Sequence, residues 1–277
     1  MPIDVKYLKE VYFSFDKPVD YNLRCGVKIY IYPVLLENAA FFNSSYAILD
    51  IDKNSSSDPE IISMSYLKFL FTKILPSEEG RGQLYNLCHL CLKMENPYLD
   101  FDKNNKPLLI EKDKETNEIL FVINQKEFDD IRKIILYQNI LEYSDDYISP
   151  DMKKAINEKK ELLSKGYALP TIERKIAIIT AHTGIINKEQ FKMSIRSHDL
   201  LFKEVVGEVN YQATKAISLY AGKADAIQWI YPKEKGKFDD YITSVEEYNK
   251  SFGGDGKIIS TPLGDNTKNL IQHFGNL

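Results

Sequence analysis

Cys88-His89-Leu90-Cys91 places two thiols and an imidazole, the ligands zinc prefers, within a single helical turn. A closed structural zinc site needs four ligands, and only Cys25 and histidines remote in sequence could complete this one. Thiols buried on an apolar helix face are the simpler account. A second pattern, Asp100-x-Asp102-x-Asn104 with Glu111 at the twelfth position, spaces oxygen ligands as a calcium loop does. However, Asn105 stands where the sharp turn needs glycine, Pro107 lies inside the loop, and a strand follows where a helix should. An Asx-rich turn fits better, and Asp50-x-Asp52-x-Asn54 makes the same start without the closing Glu. His182, His198, Asp199, Ser194 and Ser197 supply the residue types of a hydrolytic triad. Adjacent His and Asp on a helix point in different directions, and no Gly-x-Ser-x-Gly elbow occurs, so capping and solvent-facing roles are expected. Phosphate-binding glycine loops are absent, and Gly253-Gly254-Asp255-Gly256 reads as a flexible joint. No catalytic, cofactor-binding or metal-binding residue is assigned, and the chain is not expected to be an enzyme.

The elements that would position these residues follow from hydrophobic spacing. Val11 to Phe15 and Val27 to Tyr32 alternate β-branched and aromatic residues and predict two strands, the second ended by Pro33. Three- and four-residue spacing predicts a helix over 34–49 and a second, mostly buried one from Pro59, capped by Asp58, to Ile74. Pro76 to Met94 is a third. Leu108 to Glu111 and Glu118 to Ile123 flank a polar turn and predict a hairpin; Asn124 then caps a helix to Asn139. A charged helix with little to bury runs from Ser149 to about Gly166. Four helices are expected over 171–183, 188–193, 197–208 and 210–221, with Gly184 and Gly222 as stops. Beyond Pro232 a polar linker, a helix near Asp239 to Ser251 and a thin tail read as an arm. The expected fold is α+β and predominantly helical: an N-terminal α+β region over 1–125, a helical region over 126–232, and a polar C-terminal arm over 233–277.

Composition narrows the classes of function. The 277 residues include 36 Lys+Arg against 40 Asp+Glu, a net charge of −4, which offers no overall attraction to nucleic acid or to anionic membranes. The basic residues Lys153, Lys154, Lys159 and Lys160 are interleaved with acids, as on a solvated helix face. The most apolar stretch, Ile61 to Leu75, contains Lys68 and Lys73 and is too short to span a bilayer. The amino terminus has no secretory pattern, and three cysteines suit a reducing compartment.

Several stretches, in order, carry a resemblance: Ile31-Tyr-Pro-Val with the helix after it, Met64-Ser-Tyr-Leu-Lys-Phe-Leu, Phe128 to Asn139, Pro170 to Gly184, and Met193 to Gly222. Over residues 28 to 231 the chain resembles tail assembly chaperones, or T4-like baseplate hub assembly proteins, of phages and prophages of low-GC Gram-positive bacteria. The resemblance implies a non-enzymatic, stoichiometric factor in the host cytoplasm, or alternatively a permanent part of the virion tail. Its implied partners are tape measure, hub or baseplate proteins. The rival class is a metal-dependent enzyme or regulator built on Cys88, His89 and Cys91 or on Asp100 to Glu111. Oligomeric state and the role of 233–277 stay open.

Overall fold

Asp4 opens the fold by accepting the Tyr7 amide and capping helix α1 (Val5–Val11). The chain is described by a computed structural model over residues 3–146, 150–164 and 170–221. The end of the charged helix near Gly166, the glycine stop at 222, the helix near Asp239 to Ser251 and the rest of the arm lie outside the described residues. Val11 to Phe15 does not form the expected strand. Phe13–Phe15 is a 3-10 turn that buries Phe13, and Asp16 reverses the chain in the left-handed region at φ 51°. The strand propensity of these residues yields to Asp4 on one side and this reversal on the other. The strand that pairs is instead β1 (Val19–Asn22), antiparallel to β2 (Lys28–Ile31) with Val19 opposite Ile31. Val19, Ile29 and Ile31 point into the core.

The next two expected helices form in pieces. Residues 34–49 give a 3-10 turn, α2 (Ala39–Ser45) and a second 3-10 turn. The span from Pro59 to Ile74 breaks into α3 (Pro59–Ser63) and α4 (Tyr66–Phe69), the latter continued by a π-helical turn Leu70–Ile74. Met64 is extended (ψ 146°) because Ser65 starts a new helix by accepting the Lys68 amide, while the Tyr66 amide donates to Asp129. α3 buries no residue, contrary to expectation, whereas α4 buries Tyr66, Leu67 and Phe69. Ser77 caps α5 (Glu78–Leu87), which runs into a second π-helical turn, Cys88–Leu92. Gly80 is required there: a Cβ would lie 2.4 Å from the Ile74 carbonyl oxygen.

The expected hairpin is β4 (Pro107–Lys112) with β5 (Ile119–Ile123), widened to three antiparallel strands by β3 (Pro97–Phe101) on the free edge of β4. Pro97 and Asp100 hid β3 from propensity, and an edge strand tolerates both. α6 (Gln125–Asn139) begins with a full capping box, Asn124 with Glu127, and packs Phe128, Ile131, Ile134, Ile135 and Leu136 into the centre of the core. The charged helix α7 (Pro150–Ser164) places Ile156 in a buried position. α8 (Ile172–Thr183), capped by Thr171 and stopped by Gly184, leads through α9 (Asn187–Gln190) to α10 (Ile195–Ala221). α10 is one 27-residue helix; the expected break near 209 does not occur, and Thr214 Oγ1 donates to the Asn210 carbonyl inside it.

Among the described residues the secondary structure is helix-rich α+β, 60% helical with two small antiparallel sheets. One hydrophobic cluster draws on residues from Leu8 to Ile195. Among the described residues, no helix is long and apolar enough to cross a membrane.

Candidate functional site

The π-helical turn that carries Cys88 and Cys91 rolls both thiols into the core, where they are buried, while His89 between them stays exposed with Nδ1 3.3 Å from the Met94 carbonyl oxygen. Burial raises the Cys91 thiol to about 12 and pushes Cys88 higher, with Cys91 and Glu111 adding to the rise at Cys88. Thiolate, the form that binds metal or attacks an electrophile, is therefore strongly disfavoured at both.

The calcium-like pattern is pulled apart by the hairpin it forms. Asp102 Oδ1 accepts the Asn104 and Lys106 amides, both at 2.8 Å, closing an Asx turn with Asn105 left-handed at φ 58°. These bonds, the one from Lys106 foremost, hold the Asp102 carboxyl below its ordinary range. Glu111 sits at the far end of β4, opposite Pro97, and is buried. Its Oε1 accepts the Glu95 and Asn96 amides at 2.8 and 3.1 Å, tying down the entry to β3. Asp52 spends Oδ1 on the Asn54 amide. Among the described residues, no group of three or more His, Cys, Asp or Glu is placed to hold a metal ion.

The triad-like residues converge on a different task, holding the start of α10. Ser194 Oγ accepts the Ser197 amide at 3.0 Å and caps the helix. Both hydroxyls donate to Asp16 Oδ1 at 2.6 Å, and the Ser194 amide approaches Oδ2 at 3.3 Å. Arg196 reaches the C-terminal carbonyls of α6, donating to Tyr137 at 3.0 Å and Ile140 at 3.4 Å. Burial lowers its pKa from the usual guanidinium value. Asp199 pairs with Lys175 of α8 at 2.7 Å. His198 is buried, with Nε2 3.2 Å from Gln190 Oε1 of α9, while His182 lies exposed at the end of α8. The two histidines thus share no site. Asp16 and Gln190 carry much of this joint and escaped sequence reasoning, because their partners come from other elements; the Asp16 bonds bridge 178 positions.

Ile195, His198, Phe202 and Val205 lie on one side of α10 at three- and four-residue intervals, and all but the half-buried Phe202 are buried. The same side continues as Val209, Ala213, Ala216 and Tyr220, flanked by Val206 and Ile217. Beyond Val205 no described residue of α10 is buried: Val209 is 39% exposed, Ile217 60% and Tyr220 95%. A helix rooted by four side-chain anchors therefore presents roughly 20 Å of apolar face to its surroundings.

The described residues also form a cleft of about 620 Å³ between α6, the turn at Asp50 to Asn54 and Tyr143 to Asp146. Its charges are largely engaged in holding these segments together. Arg132 stacks 3.7 Å from the Tyr66 ring centroid and donates to the Leu49 carbonyl at 2.5 Å. Lys133 pairs with Asp145 at 2.6 Å, and Lys53 Nζ donates to the Ile62 carbonyl at 2.6 Å. Asp129, whose pKa is raised by burial against the lowering effect of the Tyr66 amide and Arg132, accepts that amide at 3.2 Å. Comparison with protein-family models, with curated proteins and with solved structures found no match for this chain.

Proposed function

We propose that this protein is a non-enzymatic binding factor of bacteriophage tail or baseplate assembly, similar in role to tail assembly chaperones, and that α10 is the part that holds its partner. The apolar face of α10 beyond Val205 carries this reading. Isolated exposed apolar side chains are ordinary, but a continuous row on an anchored helix is the kind of surface through which proteins bind partners. Such a face recognises an amphipathic helix through anchors spaced by three and four residues, and requires no polarised nucleophile. The resemblance of residues 28 to 231 supplies the partner class: tape measure, hub or baseplate proteins, met in the host cytoplasm. The burial of Cys88 and Cys91, and the use of Asp102, Glu111, Ser194 and Ser197 as structural acceptors and caps, weigh against the metal-dependent and hydrolytic alternatives.

Affinity capture of the tagged protein from cells producing the phage, with mass spectrometry of the eluate and of purified particles, tests the proposal. Enrichment of tail proteins in the eluate with absence from particles supports an assembly chaperone. Fixed copy number in particles makes it a tail component. Recovery of no tail protein removes the assignment.

A further inference from the structure

Gln190 and His198 fix one another's hydrogen atoms. Gln190 Nε2 faces the carbonyl oxygens of Ile185 at 2.8 Å and Ile176 at 3.3 Å, and Thr180 Oγ1 at 2.9 Å. Carbonyl oxygens only accept, so the amide nitrogen must point toward them and Oε1 toward His198. His198 Nε2 is then the donor in the 3.2 Å contact, the neutral ring carries its proton on Nε2, and any further proton goes to Nδ1. This pair joins three elements, since Gln190 is on α9, its acceptors belong to α8 and the α8–α9 connection, and His198 is on α10. His198 is 1% exposed and Gln190 fully buried.

We propose that His198 is a pH-operated latch at the root of α10: a second proton on its imidazole opens the joint between α8, α9 and α10. A charged imidazole cannot be solvated where it lies, and the group it meets on α9, Gln190, is uncharged. From α8 it feels Lys175, which opposes the proton, and from α10 Asp199, which favours it; each already holds the other at 2.7 Å. The Asp16 carboxylate on the N-terminal side is bound to the Ser194 and Ser197 hydroxyls. Opening the joint hydrates the ring and frees the helix that carries the proposed binding face. The latch is independent of what that face binds, so it stands or falls separately from the assembly reading.

The opened ring takes up its proton at the ordinary histidine value of 6.5, while the closed ring resists it. Linkage then raises the opening equilibrium by up to roughly 25-fold between pH 7 and pH 5. Hydrogen exchange of the full-length protein, with protection factors corrected for the intrinsic pH dependence, reads this at the amides of 176–205. The expected result is a loss of protection there of more than 3-fold, up to the roughly 25-fold ceiling, in the wild type and less than 3-fold in His198→Gln, which keeps a donor for Gln190 Oε1 and cannot titrate. Equal losses in both proteins, or none in the wild type, overturn the latch. Nitrogen-15 imidazole spectra of the wild type give a check that does not depend on the variant folding. They should show the Nε2–H tautomer at pH 7; a ring that protonates near 6.5 with protection unchanged overturns the proposal.

Discussion

Replacing Asp16 should loosen α10 by an amount that its bonds allow to be worked out. Its carboxylate accepts two hydroxyls at 2.6 Å and an amide at 3.3 Å, all from the cap of α10. Hydrogen bonds to a charged acceptor are worth about 1.5–3 kcal/mol each when buried, and half-burial with freely turning hydroxyls reduces the set to about 2–4 kcal/mol in total. Asp16 also occupies the left-handed region at φ 51°, where a Cβ costs about 1–2 kcal/mol and Asp or Asn is better tolerated than Ala. Stability should therefore fall in the order wild type, Asp16→Asn, Asp16→Gly, Asp16→Ala, with the Gly and Ala proteins separated by about 1 kcal/mol. Urea unfolding followed by far-UV circular dichroism measures the series. A double-mutant cycle with Ser194→Ala and Ser197→Ala should give a coupling of about 1–2 kcal/mol. If Asp16→Ala were as stable as Asp16→Gly, or if the coupling fell within about 0.3 kcal/mol of zero, the account of this root would be wrong.

Gly80 and Gly82 should respond with opposite signs to alanine. Gly80→Ala drives a Cβ against the Ile74 carbonyl and should cost about 2–4 kcal/mol, while Gly82→Ala meets nothing within 4 Å and should stabilise α5 by about 0.5–1 kcal/mol; thermal unfolding of the two variants decides. Tyr12 donates to Asp20, and this bond, followed by burial, raises the tyrosine to about 12; the same bond, followed by that from Lys28, lowers the aspartate. The tyrosine's contribution is therefore complete below pH 10 and lost as pH rises through about 12, whereas that of Asp20 is complete above 3.8 and lost as pH falls through its lowered value. Tyr12→Phe should remove the alkaline loss and move the Asp20 carboxyl titration upward in carbon-13 spectra; an unmoved titration refutes the pairing. A maleimide should label Cys25 rapidly and Cys88 and Cys91 only at the rate at which the core opens, so rapid labelling of more than one thiol contradicts their burial.

Much of the fold was written in local patterns, and what was missed is non-local. Asn124 announces α6, Thr171 and Gly184 bracket α8, and the alternation either side of Asp113 to Asn117 gives the β4–β5 hairpin, because each is decided by residues a few positions apart. The break at Met64 depends on Asp129 receiving the Tyr66 amide across 63 positions, and the capping-box Glu127 also accepts the Arg24 amide across 103. Neither is visible in a window of a dozen residues. The strand expected at Val11 to Phe15 failed for the same reason: its aromatic residues suit a sheet, but Phe13 is buried in a turn whose shape Asp16 and the distant Ser194 share. The chemistry-bearing residues were legible as types and opaque as geometry. Cys88 and His89 are neighbours in sequence, yet the helical turn sends one into the core and the other to the surface.

The most direct test of the proposed binding surface is a comparison of the wild type with Val209→Glu/Ile217→Glu in the same capture experiment. Both side chains are exposed, so the substitutions should change stability by no more than about 0.5 kcal/mol each, which thermal unfolding can verify. Tail proteins should be recovered by the wild type and reduced at least 10-fold by the charged variant at equal expression and equal melting temperature. Undiminished recovery by the variant would place the partner elsewhere and contradict the role assigned to α10.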